Sequence, residues 1–219
     1  MVSAAATAIS ARDTPPALAE LARNLPIRPD GVHGYDLTIE LEKRGWIGLT
    51  FTGPPEAAAR LIEAGFAPMA IFKDARGRHA IAVTGRARRP GADGECTTAL
   101  TKLRIADSRT GTSAWISAKA FQGRQAAQQM MIFFKPKDRS SLSGHGFPLA
   151  IAERVDRRFR SQALLRRAHK HPRPNAQMLT LLRRAAAADP CHADARKALH
   201  KTAHSLGQPH EHIPKCILE

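Results

Sequence analysis

HAIAVTG at residues 79–85 and LRIADSRTG at residues 103–111 are the two stretches that decide how this chain is read. The first is a short apolar run opened by a histidine and closed by a glycine. It is too brief for a helix and of the right length for a buried strand. In the second, Leu103 and Ile105 alternate as a strand does, and Asp107 stands at its end before the turn SRTG. Just upstream, FAPMAIF (66–72) is another apolar run of similar length, and the charged turn KDARGR (73–78) joins it to HAIAVTG. Two buried strands linked by a charged turn are expected there. The basic, Gly- and Pro-containing stretch RARRPGADGE (86–95) reads as the link to the next strand, a basic loop that reaches Cys96.

Working outward, residues 4–10 favour a helix. PPALAELARNLP (15–26) is a second short helix, opened by prolines and stopped by Pro26. RPDGVHGY (28–35) reads as a loop. Between Tyr35 and Arg44 the apolar positions Leu37, Ile39 and Leu41 alternate, but the Glu and Lys content favours a helix ending near Gly45. TGPPEAAARLIEAG (52–65) places two prolines at a helix start and a glycine at its stop. SAWISAKAF and MMIFF complete the first pattern, and the proline of FFKPKD marks its end. DRSSLSGHGFP then reads as a linker. Three amphipathic helical patterns follow, IAERVDRRFRSQALLRRAHK, NAQMLTLLRRAAAA and HADARKALHKTAHSLG, the last stopped by Gly207. The expected division is a domain at 1–138, a linker at 139–150 and a helical segment at 151–219.

With 219 residues the chain has room for one sizeable domain, or a medium one with a small helical addition. A hydrophobic share of 43% and a charged share of 24% place it among ordinary globular chains. Lys and Arg number 34 against 19 acidic residues, a net charge of +15 that favours polyanions, anionic surfaces or acidic proteins. An Arg-rich solvated surface explains the same charge. Aromatic residues are only 5%, which argues against a stacking platform for single-stranded nucleic acid. Three widely spaced cysteines, Cys96, Cys191 and Cys216, argue against a disulfide framework and for a reducing compartment, the cytoplasm. The first residues carry no basic and apolar signal-peptide pattern, and no stretch has the apolar length of a membrane span.

The order of these pieces resembles the papain-like cysteine peptidases that trim bacteriocin leader peptides, the double-glycine peptidase type, and their stand-alone bacterial relatives. That family carries a G-x-P-hydrophobic strand, here Gly65-Phe66-Ala67-Pro68, before a His-led strand ending V-x-V-x-G, here His79 to Gly85. It then has a strand running into an Asp-x-x-x-Gly turn, here Asp107 to Gly111, followed by positions like Trp115, Ser117 and Phe121. The resemblance covers about half of the chain. It implies an α+β papain-like fold, N-terminal helices on an antiparallel sheet, followed by a small all-α segment. It also implies His79 as the base that takes a proton from a thiol and Asp107 as the group that orients it, since an unassisted thiol is only a few per cent thiolate at neutral pH.

The chain departs from that family at the nucleophile, a Cys at the start of the first long helix. VSAAATAI aligned on that helix puts Val2 there, and a shift by one offers Ser3. No residue upstream supplies the family's oxyanion-stabilising Gln. Cys96 falls in the basic loop, and Cys191 and Cys216 in the helical tail. Two explanations stay open: a degenerate domain kept as a peptide- or protein-binding scaffold, or an active peptidase whose true N-terminus with its Cys is missing. A third reading, from another class, is electrostatic binding of nucleic acid or an acidic partner through RARR (86–89) and DRRFRSQALLRR (156–167). In the tail, LLRRAAAADPCHADARKAL resembles a tetratricopeptide-type hairpin, and a generic helical hairpin is the simpler reading. His192, His200, His204, His210 and His212 cluster there with two cysteines, and His200 and His204 share a helix face at i, i+4. Their spacings match no established zinc pattern, so a solvated helix surface is expected, with no metal and no cofactor.

Overall fold

The computed structural model describes residues 1–12, 14–26, 32–75, 77–90, 96–208 and 216. Two compact units divide it, Met1–Ala152 and Glu153–Glu219. The first opens with helices α1 (Val2–Ser10), α2 (Leu18–Asn24) and α3 (Gly34–Glu42). Strand β1 (Ile47–Thr52) and helix α4 (Pro55–Glu63) lead to β2 (Met69–Asp74), β3 (Gly77–Pro90) and β4 (Cys96–Asp107). Next come β5 (Thr112–Ser117), α5 (Ala118–Arg124) and β6 (Gln125–Phe134), then a 3-10 turn at Pro136–Asp138 and α6 (Arg139–Gly144). Helix α7 (Leu149–Ala168) begins at the boundary, and α8 (Ala176–Ala188) and α9 (Ala193–Ser205) follow. The class is α+β, as expected.

Among the described residues the strands form one sheet in the order β1-β6-β2-β3-β4-β5. Each neighbouring pair runs antiparallel. HAIAVTG forms the first half of β3, and four consecutive residues of it, Ala80 to Val83, are at most 2% exposed. A strand buried on both faces reads as an unbroken apolar run rather than an alternating one. The small residues of that run meet small residues of α1. Ala8 packs with Ala67 and Ala82, and Ala4, Ala5 and Ile9 join the cluster of Met69, Ile71 and Ala80. Alanine against alanine lets the helix axis come close to the sheet. The opposite face carries Phe72, against which Phe121 of α5 sets its ring edge-on at 5.3 Å.

Local chemistry accounts for the connections. Pro55 sits in the first turn of α4, where its missing N–H costs nothing. Gly65 ends that helix at φ +82°, a left-handed value that a side chain resists. Three features differ from expectation. GLTF lies in the edge strand β1, for which no strand was anticipated. RARR continues β3 as far as Pro90, and β4 begins at Cys96, so the expected basic loop is strand at both ends; residues 91–95 lie outside the described part. The segment expected as a linker at 139–150 holds α6, with Leu142 buried and Phe147 set edge-on to Phe51 at 5.3 Å.

In the second unit, Leu179, Leu182 and Ala186 of α8 pack with Leu199 and Ala203 of α9 and with Leu165 and Ala168 of α7. Asn175 caps α8 by accepting the Met178 N–H at 2.7 Å. Three tail residues depart from the solvated picture. Cys191 and Cys216 form a disulfide with Cα atoms 4.7 Å apart, which corrects the expectation of reduced thiols. His192 is 2% exposed, and its Nδ1 is 2.7 Å from Ser161 Oγ, whose proton goes to the Ala185 carbonyl, also at 2.7 Å. With the single hydroxyl proton so used, His192 Nδ1–H is the donor. No helix among the described residues is long and apolar enough to cross a membrane.

Candidate functional site

His79 lies near the start of β3 and Asp107 is the last residue of β4. Their side chains meet, with His79 Nε2 3.2 Å from Asp107 Oδ2, and are 14% and 23% exposed. The turn that follows holds the carboxylate in place. Asp107 Oδ1 accepts the Arg109 N–H at 2.9 Å, the Asp107 carbonyl accepts the Gly111 N–H at 2.9 Å, and Gly111 closes the turn at φ +68°. One carboxylate oxygen is thus fixed by backbone and the other is left for the imidazole. Phe72, the cross-strand partner of His79, sets its ring nearly perpendicular to the imidazole at 6.1 Å. Phe121 braces Phe72 from behind. The imidazole therefore has a carboxylate on Nε2 and an aromatic wall beside it.

The start of α1 reaches the same end of the sheet. Met1 and Val2 are half-buried and pack on the cluster that includes Ile71, Ala80 and Ala126. The amino group of Met1 is held below its ordinary pKa by burial first and by the charge of Arg109 second. Ser3 is exposed. A carboxylate that accepts from Nε2–H leaves the lone pair on Nδ1.

The other cysteines fall elsewhere. Cys96 opens β4 at the far end from Asp107, eleven residues or roughly 36 Å away at about 3.3 Å per residue. Cys191 and Cys216 are bonded to each other. Ser117 caps α5, its Oγ accepting the Ala120 N–H at 3.1 Å, and Trp115 stands half-exposed on β5. Among the described residues no three His, Cys, Asp or Glu side chains converge as a metal site. His210 and His212 lie outside the described residues. A cavity of about 280 Å³ lined by Ile9, Arg12, Trp46, Phe66, Phe133 and Asp138 sits at the other end of α1 and contains neither member of the pair.

One residue was not anticipated. Gln125 opens β6, pairs with Phe72 and so continues the row His79, Phe72, Gln125 across three strands. It is 7% exposed, and neither Oε1 nor Nε2 has a hydrogen-bond partner among the described residues. Beside it the register of β6 against β2 shifts, and Ala127 and Gln128 take positive φ values of 51° and 53°. Such bulges gather near working sites. The only sequence signal was a polar QAAQQ run between apolar segments.

The structure thus brings together an imidazole near a strand start and a carboxylate at the end of the neighbouring strand. No family model matches the chain, and no curated protein matches it. Among solved structures it is similar to the peptidase domain of Streptococcus ComA, a bifunctional ABC transporter involved in a quorum-sensing pathway. That likeness has 14% identity and a TM-score of 0.45, and covers 60% of this chain and 86% of that one. It is also similar to a double glycine motif protease from an AMS/PCAT transporter in complex with the leader peptide, at 15% identity and a TM-score of 0.42, covering 60% and 81%.

Proposed function

We propose that residues Met1–Ala152 are a papain-like, double-glycine-peptidase-related domain that binds peptide and does not cleave it. The observation that carries this is the 3.2 Å contact between His79 and Asp107, two residues far apart in sequence that the resemblance assigned to one catalytic unit. Val2 and Ser3 occupy the first turn of α1, and among the described residues no thiol lies beside the pair: Cys96 opens β4 at its far end and Cys191 is bonded to Cys216. A serine hydroxyl at an exposed helix start is a poor substitute, since its pKa lies far above that of a thiol. The ligand class is an extended peptide, with a leader-type segment ending in two glycines as the natural probe.

The experiment supplies the missing atom. Val2→Cys gives a thiol that His79 deprotonates, so alkylation by iodoacetamide at pH 6 should run at least ten times faster than for a free thiol. Adding His79→Ala should return it to the free-thiol rate. The unmodified chain should bind a labelled double-glycine peptide without cutting it. Slow alkylation of both Val2→Cys and Ser3→Cys would sink the papain-like reading, and cleavage by the unmodified chain would sink the non-cleaving part.

A further inference from the structure

Strand β5, TSAWIS, ends the sheet and pairs only with β4 among the described residues. An open edge presents every second backbone N–H and C=O to solvent, and proteins normally guard it with charges, proline, a bulge or a covering loop. In a chain that is 24% charged, β5 contains no Lys, Arg, Asp, Glu or Pro. Its register with β4 is unbroken from Lys102↔Ser117 to Asp107↔Thr112. All of its residues are exposed except Ile116, which is half-buried. The edge is therefore regular and carries no guarding charge or proline.

Its side chains add a recognition surface. Trp115 is 50% exposed. Its indole crosses the sheet over its partner Arg104 as far as Gly85, where an added Cβ would lie 3.4 Å from the ring and 3.1 Å from Arg104 Cβ. Arg104 and Lys102, both exposed, are neighbours on this face, and neither has an ion-pair partner among the described residues. The strand starts opposite Asp107, so anything paired with it runs alongside the His79–Asp107 unit.

We propose that β5 receives an extended acidic peptide as an added strand, with Trp115 covering an apolar side chain and Lys102 and Arg104 meeting carboxylates. This rests on the peptide-binding reading and gives it a location and a charge preference. Main-chain pairing supplies the affinity of such a complex and alternate side chains its selectivity. A second copy of the chain is the poorer occupant: edge-to-edge pairing would bring together two chains that each carry a net charge of +15 and offer no carboxylates on β5 to meet Lys102 and Arg104.

The test uses the full chain and two labelled eight-residue peptides alternating valine with glutamate or with lysine. The glutamate peptide should bind, slow hydrogen exchange at the β5 amides and shift the emission of Trp115 to the blue. Trp46, the other tryptophan, is 6% exposed and serves as a constant background. The Lys102→Glu, Arg104→Glu double variant should lose about tenfold in affinity for the glutamate peptide and gain for the lysine peptide. Trp115→Ala should weaken binding with exchange at β3 unchanged. Binding that protects α1 and leaves β5 exchange untouched would refute strand addition while the peptide-binding reading stands. Failure of both of these peptides and of the double-glycine probe would refute the two together. Concentration-dependent dimers with protected β5 amides would assign the edge to a second copy and overturn the proposal.

Discussion

Replacing Gln125 with Met should stabilise the first unit, against the usual direction of a buried substitution. The side chain is 7% exposed and both amide atoms are buried without partners among the described residues. A buried polar atom left unsatisfied carries its desolvation cost uncompensated, about 1–3 kcal/mol. Methionine keeps the unbranched shape, adapts to irregular space and removes both atoms while breaking no hydrogen bond. Taking the lower figure for each atom gives a gain of about 2 kcal/mol. For a unit of this size that corresponds to a rise in Tm of roughly 4–8 °C. Trp46 and Trp115 both lie in Met1–Ala152, so tryptophan fluorescence during a thermal or urea melt reports this unit selectively. A lower Tm for Gln125→Met would show that the amide is bonded in solution, and the reasoning would fail.

Cleaving the Cys191–Cys216 bond by reductant, or by Cys216→Ser, frees a loop of 25 residues in the unfolded chain. Chain entropy puts the loss at about 3.5 kcal/mol, and a urea midpoint of the helical signal unmoved by reductant would contradict it. The same unit should weaken on acidification. Burial first, then the charge of Arg158, hold His192 below its ordinary value of 6.5, while Asp189 and Asp194 pull the other way. The unfolded chain therefore binds the proton at higher pH than the folded one, so this stability is complete above pH 6.5 and falls as the pH drops below it. His192→Gln should flatten that slope in urea melts at pH 5 and 7. Ala82→Leu should cost about 1–3 kcal/mol by overpacking the contact with Ala8 and Ala67. By lifting α1 it should also slow alkylation in the Val2→Cys background, and an unchanged rate would show that α1 does not depend on this contact.

The strands that carry His79 and Asp107 were legible because each is a short apolar run ended by residues with one evident role, a glycine or a turn aspartate. The helices were legible from prolines at their starts and glycines at their ends. β1 was hidden because GLTF is read against a glycine. Gly48 is there for space: an added Cβ would lie 2.8 Å from Thr38 of α3, a contact no local pattern announces. RARR reads as loop, yet register shifts in β3 let Arg86 and Arg88 both reach Glu63 of α4, at 3.1 and 2.7 Å. Those guanidiniums lower the pKa of Glu63, Arg88 chiefly through its hydrogen bond, against the opposing effect of burial. The 139–150 segment is rich in Ser and Gly, and its buried residues are Leu142 and Phe147, whose packing no local pattern announces. Gln125 could not be found from sequence, because its importance lies in what it fails to touch. The odd cysteine count misled for a similar reason, since pairing depends on approach in space and leaves Cys96 over.

The bond between Cys191 and Cys216 makes the backbone around α9 a closed ring. A protease that cuts once inside that ring releases nothing: the molecule gains one water in mass and stays whole until a thiol is added. Clipping in the tail would thus pass unnoticed on a non-reducing gel. A fragment that appears only after reduction would map both the cut and the bond in one experiment.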